Sequence, residues 1–515
     1  MSTPGGPARV RGSLGPMPTG LWAWLGPLLV TVFGGFLRFW NLGRPNAVVF
    51  DETYYVKDSW SILNHGYERA YVRNADAKLV EGSEEILLDR ATFIVHPPVG
   101  KWVIALGEKV GGLDAVGWRL GVAVIGTASI FLIARVGIRL TRSIVLGCLA
   151  GFLLAVDGLA VVMSRTALLD GSLSFFLLAA FACLLVDRDH AFERAQRLVD
   201  RGKAGERLRL GVRPWRIAAG LCCGLAVGTK WSALPFLAVF GILAVLWDRS
   251  ARAVAGEPKP LRSMLRRDAV PAFVSLVGLS AVVYVVSWSG WLATGGGWSR
   301  QWASDRDTAF PFIPDAIRSL WHYHDEMKVF HTNLTDDHPY ESHPWGWLVL
   351  ARPVAYWSED DDLGEHGCEA RRCVREVLGI GTPMLWWAAT AALVWLIWRW
   401  AGARDWRAGA VLGGIAAGWL PWFRYEDRPM FFFYAISFLP YLVLGLTMAL
   451  GALVGPAPGV GASKRERRRR QLGAWAAGAL VLLIVGNFFY LYPLLTGGSL
   501  PRGEWLDRMW FKTWI

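Results

Sequence analysis

The chain has 515 residues, 53% of them hydrophobic, and its mean hydropathy is +0.32. This composition excludes an ordinary soluble domain, and the long apolar runs are typical of transmembrane helices. The net charge of +12 does not indicate nucleic-acid binding, because the basic residues fall in loops between apolar runs, where positive charge sets membrane topology.

The apolar runs predict about eleven membrane spans. Basic residues concentrate in alternate loops, and the positive-inside rule makes those loops cytoplasmic. The basic run 464–470 is one such loop, so we interpret it as an orientation anchor that contacts anionic lipid. An odd number of spans places the N-terminus inside and the C-terminus outside. The predicted spans are 21–39, 118–136, 143–163, 171–187, 215–229, 231–247, 269–290, 384–400, 408–423, 430–454 and 473–495.

The spans and loops predict an all-α polytopic membrane protein in five parts. A cytoplasmic N-terminus rich in Gly, Pro and Ser is expected to be disordered. Two large outer loops cover 41–117 and 291–383, and the many Trp residues of the second predict amphipathic helices lying in the membrane interface. The five parts are the N-terminus 1–20, a seven-span module 21–290, the second outer loop 291–383, a four-span module 384–495 and an extracytoplasmic tail 496–515.

Two adjacent acids, Asp51 and Glu52, lie in the first outer loop. One interpretation is structural: Asp51 caps the helix that begins near Thr53, Glu52 favours its positive end, and Gly66 ends it. The other interpretation is catalytic, because a carboxylate can accept the proton of a hydroxyl as it attacks. Capping does not exclude catalysis, since a cap can hold a base in place.

Several cations lie on the same side of the membrane as this acidic pair. Any one of them can snorkel to the outer headgroups. If several converge from separate spans, they instead form a phosphate site, because arginine offers paired hydrogen bonds and lysine a point charge. The cations are Arg119, Arg165, Lys230, Arg424 and Arg428.

Two further short segments carry candidate residues. Asp170 follows Arg165 by five positions, and we favour a structural ion pair between them over a helix-capping role for Asp170. In the first outer loop, Pro97 and Pro98 predict a rigid turn that projects His96 and Lys101 near the membrane.

The second outer loop contains His338, Tyr340 and Glu341, followed by a second His-Pro unit and two Trp residues. This segment can bind a sugar by stacking and hydrogen bonding, or it can be a loop anchored in the interface. Six of the nine His residues lie between His322 and His366, but their spacing is irregular and lacks a metal-binding pattern. We therefore expect no metal, and the absence of a P-loop argues against nucleotide-driven chemistry.

Cys368 and Cys373 lie in the same outer loop, separated by four residues. An extracytoplasmic position favours a local disulfide, while free thiols and a metal site with His366 are the alternatives.

Together these residues resemble the protein O-mannosyltransferases, glycosyltransferase family 39, which have the membrane GT-C architecture. The resemblance covers nearly the whole chain. It differs from eukaryotic members in one respect, because the second outer loop is too short for their β-trefoil MIR domain. The matching segments are Asp51-Glu52, His96-Pro97-Pro98-Val99-Gly100-Lys101, Ser164-Arg165 with Leu168-Leu169-Asp170, Gly228-Thr229-Lys230-Trp231, and His338-Pro339-Tyr340-Glu341-Ser342.

The resemblance implies that 21–290 is the catalytic module. It implies inverting transfer of mannose from polyprenyl phosphate mannose to Ser or Thr of exported polypeptides, outside the cell membrane. Asp51 would be the general base, with Glu52 supporting it or positioning the acceptor, and Arg119, Arg165 and Lys230 would hold the phosphate. No cofactor or catalytic metal is expected, and association with the secretion translocon is left open. The alternatives are another GT-C enzyme acting on a glycolipid or cell-wall glycan, and a membrane transporter without catalysis.

Overall fold

A computed structural model describes residues 16–308, 310–425, 427–459 and 461–515, and most of this part is helical. The predicted disordered segment 1–20 falls mainly outside these ranges. The helices are α1 Trp22–Phe39, α2 Glu52–His65, α3 Ala75–Val80, α4 Val99–Gly111, α5 Ala115–Thr141, α6 Ile144–Ala155, α7 Gly158–Met163, α8 Leu169–Asp200, α9 Pro214–Val227, α10 Leu234–Val254, α11 Pro260–Arg267, α12 Ala269–Phe273, α13 Leu279–Ser287, α14 Ser289–Ala293, α15 Asp315–Asn333, α16 Pro344–Trp347, α17 Pro383–Ala401, α18 Trp406–Trp419, α19 Leu439–Val454, α20 Lys464–Leu495 and α21 Arg502–Arg508.

Six helices among the described residues are long and apolar enough to cross a membrane. The remaining predicted spans fall on shorter helices, namely α6 with α7, α9, α18 and α19, and on α17, which has 19 residues but is not among these six. The count of about eleven spans therefore stays a prediction. The six long segments are Trp22–Phe39, Ala115–Thr141, Leu169–Asp200, Trp231–Val254, Ala269–Ser287 and Lys464–Leu495.

The third predicted span, 143–163, is not continuous. It breaks between α6 and α7 at Asp157, whose carboxylate accepts a hydrogen bond from the backbone N–H of Ala160 at 3.0 Å and caps α7. The same carboxylate accepts from the indole of Trp386 at 2.8 Å. Asp157 therefore lies between α6 and α7 as the N-cap of α7. Its hydrogen-bond partner Trp386 lies more than two hundred residues away in the chain.

The described residues are mostly helical, as the sequence predicts, and their outer loops and tail also contain two small antiparallel sheets. One pairs β1 with β2 in the first outer loop. The other has the order β3-β4-β5 and joins the second outer loop to the C-terminal tail. These strands are short or rich in charged residues, so no long apolar run in the sequence indicated them. They are β1 Arg69–Tyr71, β2 Leu87–Ala91, β3 Val354–Asp362, β4 Arg372–Gly379 and β5 Ser499–Pro501.

The second outer loop therefore differs from its prediction. It contains one long helix, α15, but 354–379 forms a hairpin where interfacial helices were expected. A disulfide between Cys368 and Cys373 lies at the end of this hairpin, as the disulfide interpretation predicts.

Helix α8 connects two charged regions. Asp170 lies in its first turn, and Asp187 lies seventeen positions later, or about 26 Å along the axis. Asp187 and Asp248 share the guanidinium groups of Arg213 and Arg216, with N–O distances of 2.7 to 3.1 Å. These four charges belong to or flank loops predicted to be cytoplasmic, and Asp170 lies at the other end of the helix.

Candidate active site

Helix α2 begins directly after an unusual backbone position. Phe50 has φ 47°, in the left-handed region that bulky residues seldom adopt. Asp51 occupies the position before the helix, but its side chain makes no capping hydrogen bond, so the structure does not support the capping interpretation. Gly66 ends the helix at φ 80°, as predicted. The carboxylate of Asp51 therefore makes no hydrogen bond to the N-terminus of α2.

Glu52 and Arg119 form a fully buried ion pair. Arg119 donates to the two carboxylate oxygens at 2.8 and 2.9 Å. Its remaining N–H groups donate to the carbonyl oxygens of Leu42, Pro45 and Ala47 at 2.9 to 3.3 Å. A guanidinium group has five N–H donors, so all of them are used. The structure therefore places Arg119 beneath the 41–47 segment, with no donor left for a phosphate.

Arg165 has a similar role at the end of α1. It donates to the carbonyl oxygens of Arg38 and Trp40 at 2.7 Å each, and to that of Asn41 at 2.8 Å. The predicted ion pair between Arg165 and Asp170 is wrong. Asp170 instead pairs with Lys230 at 2.6 Å, because the turn between α9 and α10 brings the lysine over the start of α8.

A cavity of about 450 Å³ lies beside this pair. Asp51 is partly exposed and does not itself line the cavity, but it interacts electrostatically with both Lys230 and Asp170, which do. The charged residues that line the cavity come from four separate parts of the chain. The polar lining of the cavity includes His96, Asp170, Lys230, Lys328, His331, Arg428 and Tyr434.

Burial changes the ionisation of the groups around the cavity. It raises the pKa of Asp51 to about 6, while the positive charge of Lys230 opposes that rise. Burial and the charge of Lys230 also hold the pKa of His96 well below its usual range. The pKa of His331 is lowered by burial, so both imidazoles are neutral at pH 7. The site therefore contains a carboxylate that titrates near neutrality and two uncharged hydrogen-bonding rings.

Other predicted residues lie outside the cavity. Lys101 is buried and pairs with Glu68. Arg424 is exposed at the end of a short 3₁₀ turn. His338 and Tyr340 pack near Phe431, with 4.9 Å between the ring centroids of His338 and Phe431.

Glu341 and Arg428 line a second cavity of about 270 Å³ that also includes Asp337 and Asp427. Arg428 lines both cavities, so the second cavity lies next to the first. Glu341, in the segment after His338, lines only the second cavity.

Sequence reasoning missed several residues at the site. Tyr55 hydrogen-bonds to Asp51, and its position four residues later on a helix could have indicated this contact. His331 was considered only as a metal ligand, although it packs on His96 with 5.3 Å between ring centroids. Tyr434 carried no local signal. Among the described residues, no three His, Cys, Asp or Glu side chains are grouped to hold a metal ion.

The fold is similar to that of a solved structure from Saccharomyces cerevisiae, the protein O-mannosyltransferase Pmt1-Pmt2 complex bound to the sugar donor. The TM-score is 0.72 at 15% identity, covering 97% of this chain and 93% of that chain. This likeness concerns the fold alone, and it confirms the predicted GT-C architecture.

Two family models match the sequence. Residues 28–288 match the dolichyl-phosphate-mannose-protein mannosyltransferase family, and residues 316–514 match the C-terminal four TMM region of protein-O-mannosyltransferase. A polyprenol-phosphate-mannose–protein mannosyltransferase of Mycolicibacterium smegmatis is 39% identical over 95% of this chain and 93% of its own length. One from Mycobacterium tuberculosis is 38% identical over 99% and 95%, respectively. The chain belongs to the protein O-mannosyltransferase family.

Proposed function

We propose that this enzyme transfers mannose from polyprenyl phosphate mannose to Ser or Thr hydroxyls of exported polypeptides, with inversion at the anomeric carbon. The names of the mycobacterial relatives support the donor and the acceptor class. The observation that carries the proposal is that Asp170 and Lys230 pair in the wall of one cavity and that Asp51 interacts electrostatically with both of them. A base and a cation at one site suit the attack of a hydroxyl on a phosphate-bearing sugar.

Asp51 is the general base in this proposal. The acceptor hydroxyl oxygen attacks the anomeric carbon, its proton passes to the carboxylate of Asp51, and the bond from that carbon to the phosphate oxygen breaks. A pKa near 6 keeps the carboxylate ionised at neutral pH while making it a better proton acceptor than an ordinary aspartate. Tyr55 orients this carboxylate by a hydrogen bond.

The phosphate site differs from the one the sequence indicated. Lys230 keeps its proposed role, because its ammonium group has three donors and Asp170 takes one. Arg428 joins it as a further cation in the cavity wall, which also contains Lys328. We propose that Arg119 and Arg165 act indirectly, by holding the backbone that leads to Asp51 through its carbonyl groups.

The sugar hydroxyls have neutral partners in the same cavity. His331 donates through Nε2 to the carbonyl oxygen of Val95 at 2.9 Å. Its Nδ1 is buried and has no hydrogen-bond partner among the described residues, so it is free to accept from a mannose hydroxyl. His96 lies beside it in neutral form.

An apolar cavity of about 280 Å³ adjoins the polar one and shares Trp231 and Leu234 with it. Its other walls include Val227, Leu237 and Val277. We propose that the first isoprene units of the donor lie here, because a polyprenyl chain needs apolar surface that leads out between helices. The phosphate would then lie at the junction, next to Lys230.

We propose that this site faces outward from the cell membrane, with the N-terminus in the cytoplasm and the C-terminus outside. The basic loops support this orientation. The separation of about 26 Å between Asp170 and Asp187 along α8 supports opposite faces, since the hydrocarbon core is about 30 Å thick. Association with the secretion translocon is part of the same proposal, because an extended nascent segment enters a recessed cavity more readily than a folded surface does.

Replacement of Asp51 by Asn tests the base assignment. The expected result is a loss of about a hundred- to ten-thousandfold in transfer from the lipid donor to a threonine peptide, with donor binding retained. Asp89→Asn is the matched control, because Asp89 is almost fully exposed in the same outer loop. Full activity in the Asp51→Asn enzyme would end the assignment.

A further inference from the structure

Phe50 is held in an unfavourable backbone conformation immediately before Asp51. A bulky residue with φ 47° is strained, so the surrounding structure must hold it in this conformation. The Phe50 ring is partly buried among aromatic side chains. It lies edge-on to Phe433, with 5.6 Å between ring centroids, and flat against Tyr356, with 4.9 Å between centroids and 7° between planes.

Tyr356 comes from the hairpin of the second outer loop, about three hundred residues further along the chain. Ala355 pairs with Leu378 and Trp357 with Val377, so Tyr356 is an extra residue without a partner on β4. This irregularity is a β-bulge, and a bulge redirects a side chain relative to the regular alternation of a strand. Here the redirected ring packs on Phe50.

The strand opposite the bulge leaves space for this ring. A Cβ atom added at Gly379 would lie 2.9 Å from the ring of Tyr356, so a larger residue would force the ring to move. The Tyr356 hydroxyl donates to the sulfur of Met163 at 3.1 Å, which fixes the other end of the side chain. The hairpin is held in turn by the disulfide and by β5, so Tyr356 lies on a rigid support.

We propose that Tyr356 is a positioning residue that fixes the direction of the Asp51 carboxylate by stacking on Phe50. The proposal rests on the role of Asp51 as base. If the ring is lost, Phe50 can relax toward negative φ, and the adjacent Asp51 moves with it. A misplacement of about 1 Å at a reacting group can cost about a hundredfold in rate.

The kinetic test compares three variants of the full-length enzyme in nanodiscs. Tyr356→Leu removes the stack and is expected to lower kcat by about ten- to a hundredfold, with little change in the donor KM. Tyr356→Phe keeps the ring and loses only a bond to sulfur, a weak acceptor, so its kcat should stay within about twofold. Trp357→Leu is the matched control, because Trp357 is the next aromatic on the same strand and packs on Arg375 instead.

The pH profile adds a readout that a general loss of folding would not move. A freed Asp51 becomes more hydrated, so the acidic limb of kcat should shift to lower pH in Tyr356→Leu and not in Trp357→Leu. The proposal is overturned if Tyr356→Leu retains wild-type kcat, if Tyr356→Phe loses as much activity, or if both leucine variants lose activity equally without a pH shift.

Hydrogen exchange tests the coupling independently of catalysis. Amides of residues 48–56 should exchange faster in Tyr356→Leu than in Trp357→Leu or the wild type. Unchanged exchange there refutes the coupling itself. If the wild type transfers no mannose but exchange responds as expected, the coupling stands and the proposed function fails.

Discussion

Substitution of Arg119 by Met separates a structural role from a phosphate-binding role for this residue. In the structure the guanidinium donates twice to Glu52 and three times to carbonyl oxygens of the 41–47 segment. Methionine fills similar space but leaves these groups without their partner. The buried carboxylate of Glu52 then loses the only ion-pair partner it has among the described residues.

Removal of one partner from a buried ion pair costs about 3 to 5 kcal/mol. Glu52 keeps two backbone hydrogen bonds, from Val49 at 3.0 Å and Ala167 at 2.9 Å, so we expect the lower end, about 3 kcal/mol. This is a large part of the 5 to 15 kcal/mol that stabilises a typical domain. The pair of Arg69 and Asp89 provides the control, because the Asp89 side chain is 93% exposed and Arg69→Met should cost at most about 1 kcal/mol.

The assay is thermal unfolding of the purified enzyme, followed by donor kinetics of the folded fraction. Arg119→Met should melt well below the wild type, while the donor KM of folded molecules stays close to normal. The double variant Glu52→Gln with Arg119→Met should recover part of the stability, since no unpaired charge remains. Wild-type melting combined with a raised donor KM in Arg119→Met would refute this reasoning and support a phosphate-binding role for Arg119.

Three further predictions concern the site and its support. Between pH 7 and pH 5, kcat should fall about tenfold as the carboxylate of Asp51, with its pKa of about 6, becomes protonated, and a flat profile in stopped assays would contradict this. Lys230→Met should raise the donor KM by about ten- to a hundredfold, whereas Lys109→Met, at an exposed lysine of the first outer loop, should not. Replacing Cys368 and Cys373 by Ser should lower stability by about 2 kcal/mol, because a short loop loses its cross-link, and thermal unfolding with and without reductant measures this change.

Features that depend on local composition could be predicted from the sequence alone. Apolar runs of sufficient length located the six long membrane helices, and the alternation of basic loops predicts an outer position for Asp51 with Glu52. The short spacing of Cys368 and Cys373 in a polar loop was also sufficient to indicate their disulfide. These features follow from short stretches of chain, so one sequence contains them.

The partners of the charged residues depend on how the helices pack, so they became visible only in the folded protein. Arg119, Arg165 and Lys230 looked equivalent as cations near one membrane face, yet two hold backbone carbonyl groups and one lines the cavity. Asp170 took Lys230 rather than the nearer Arg165 as its partner, because helix packing sets which side chains meet. The bulge at Tyr356 and the backbone of Phe50 were equally invisible, since each is maintained by contacts between distant segments. Sequence distance carries little information about such contacts, and in a buried site those contacts determine which charge is free to act.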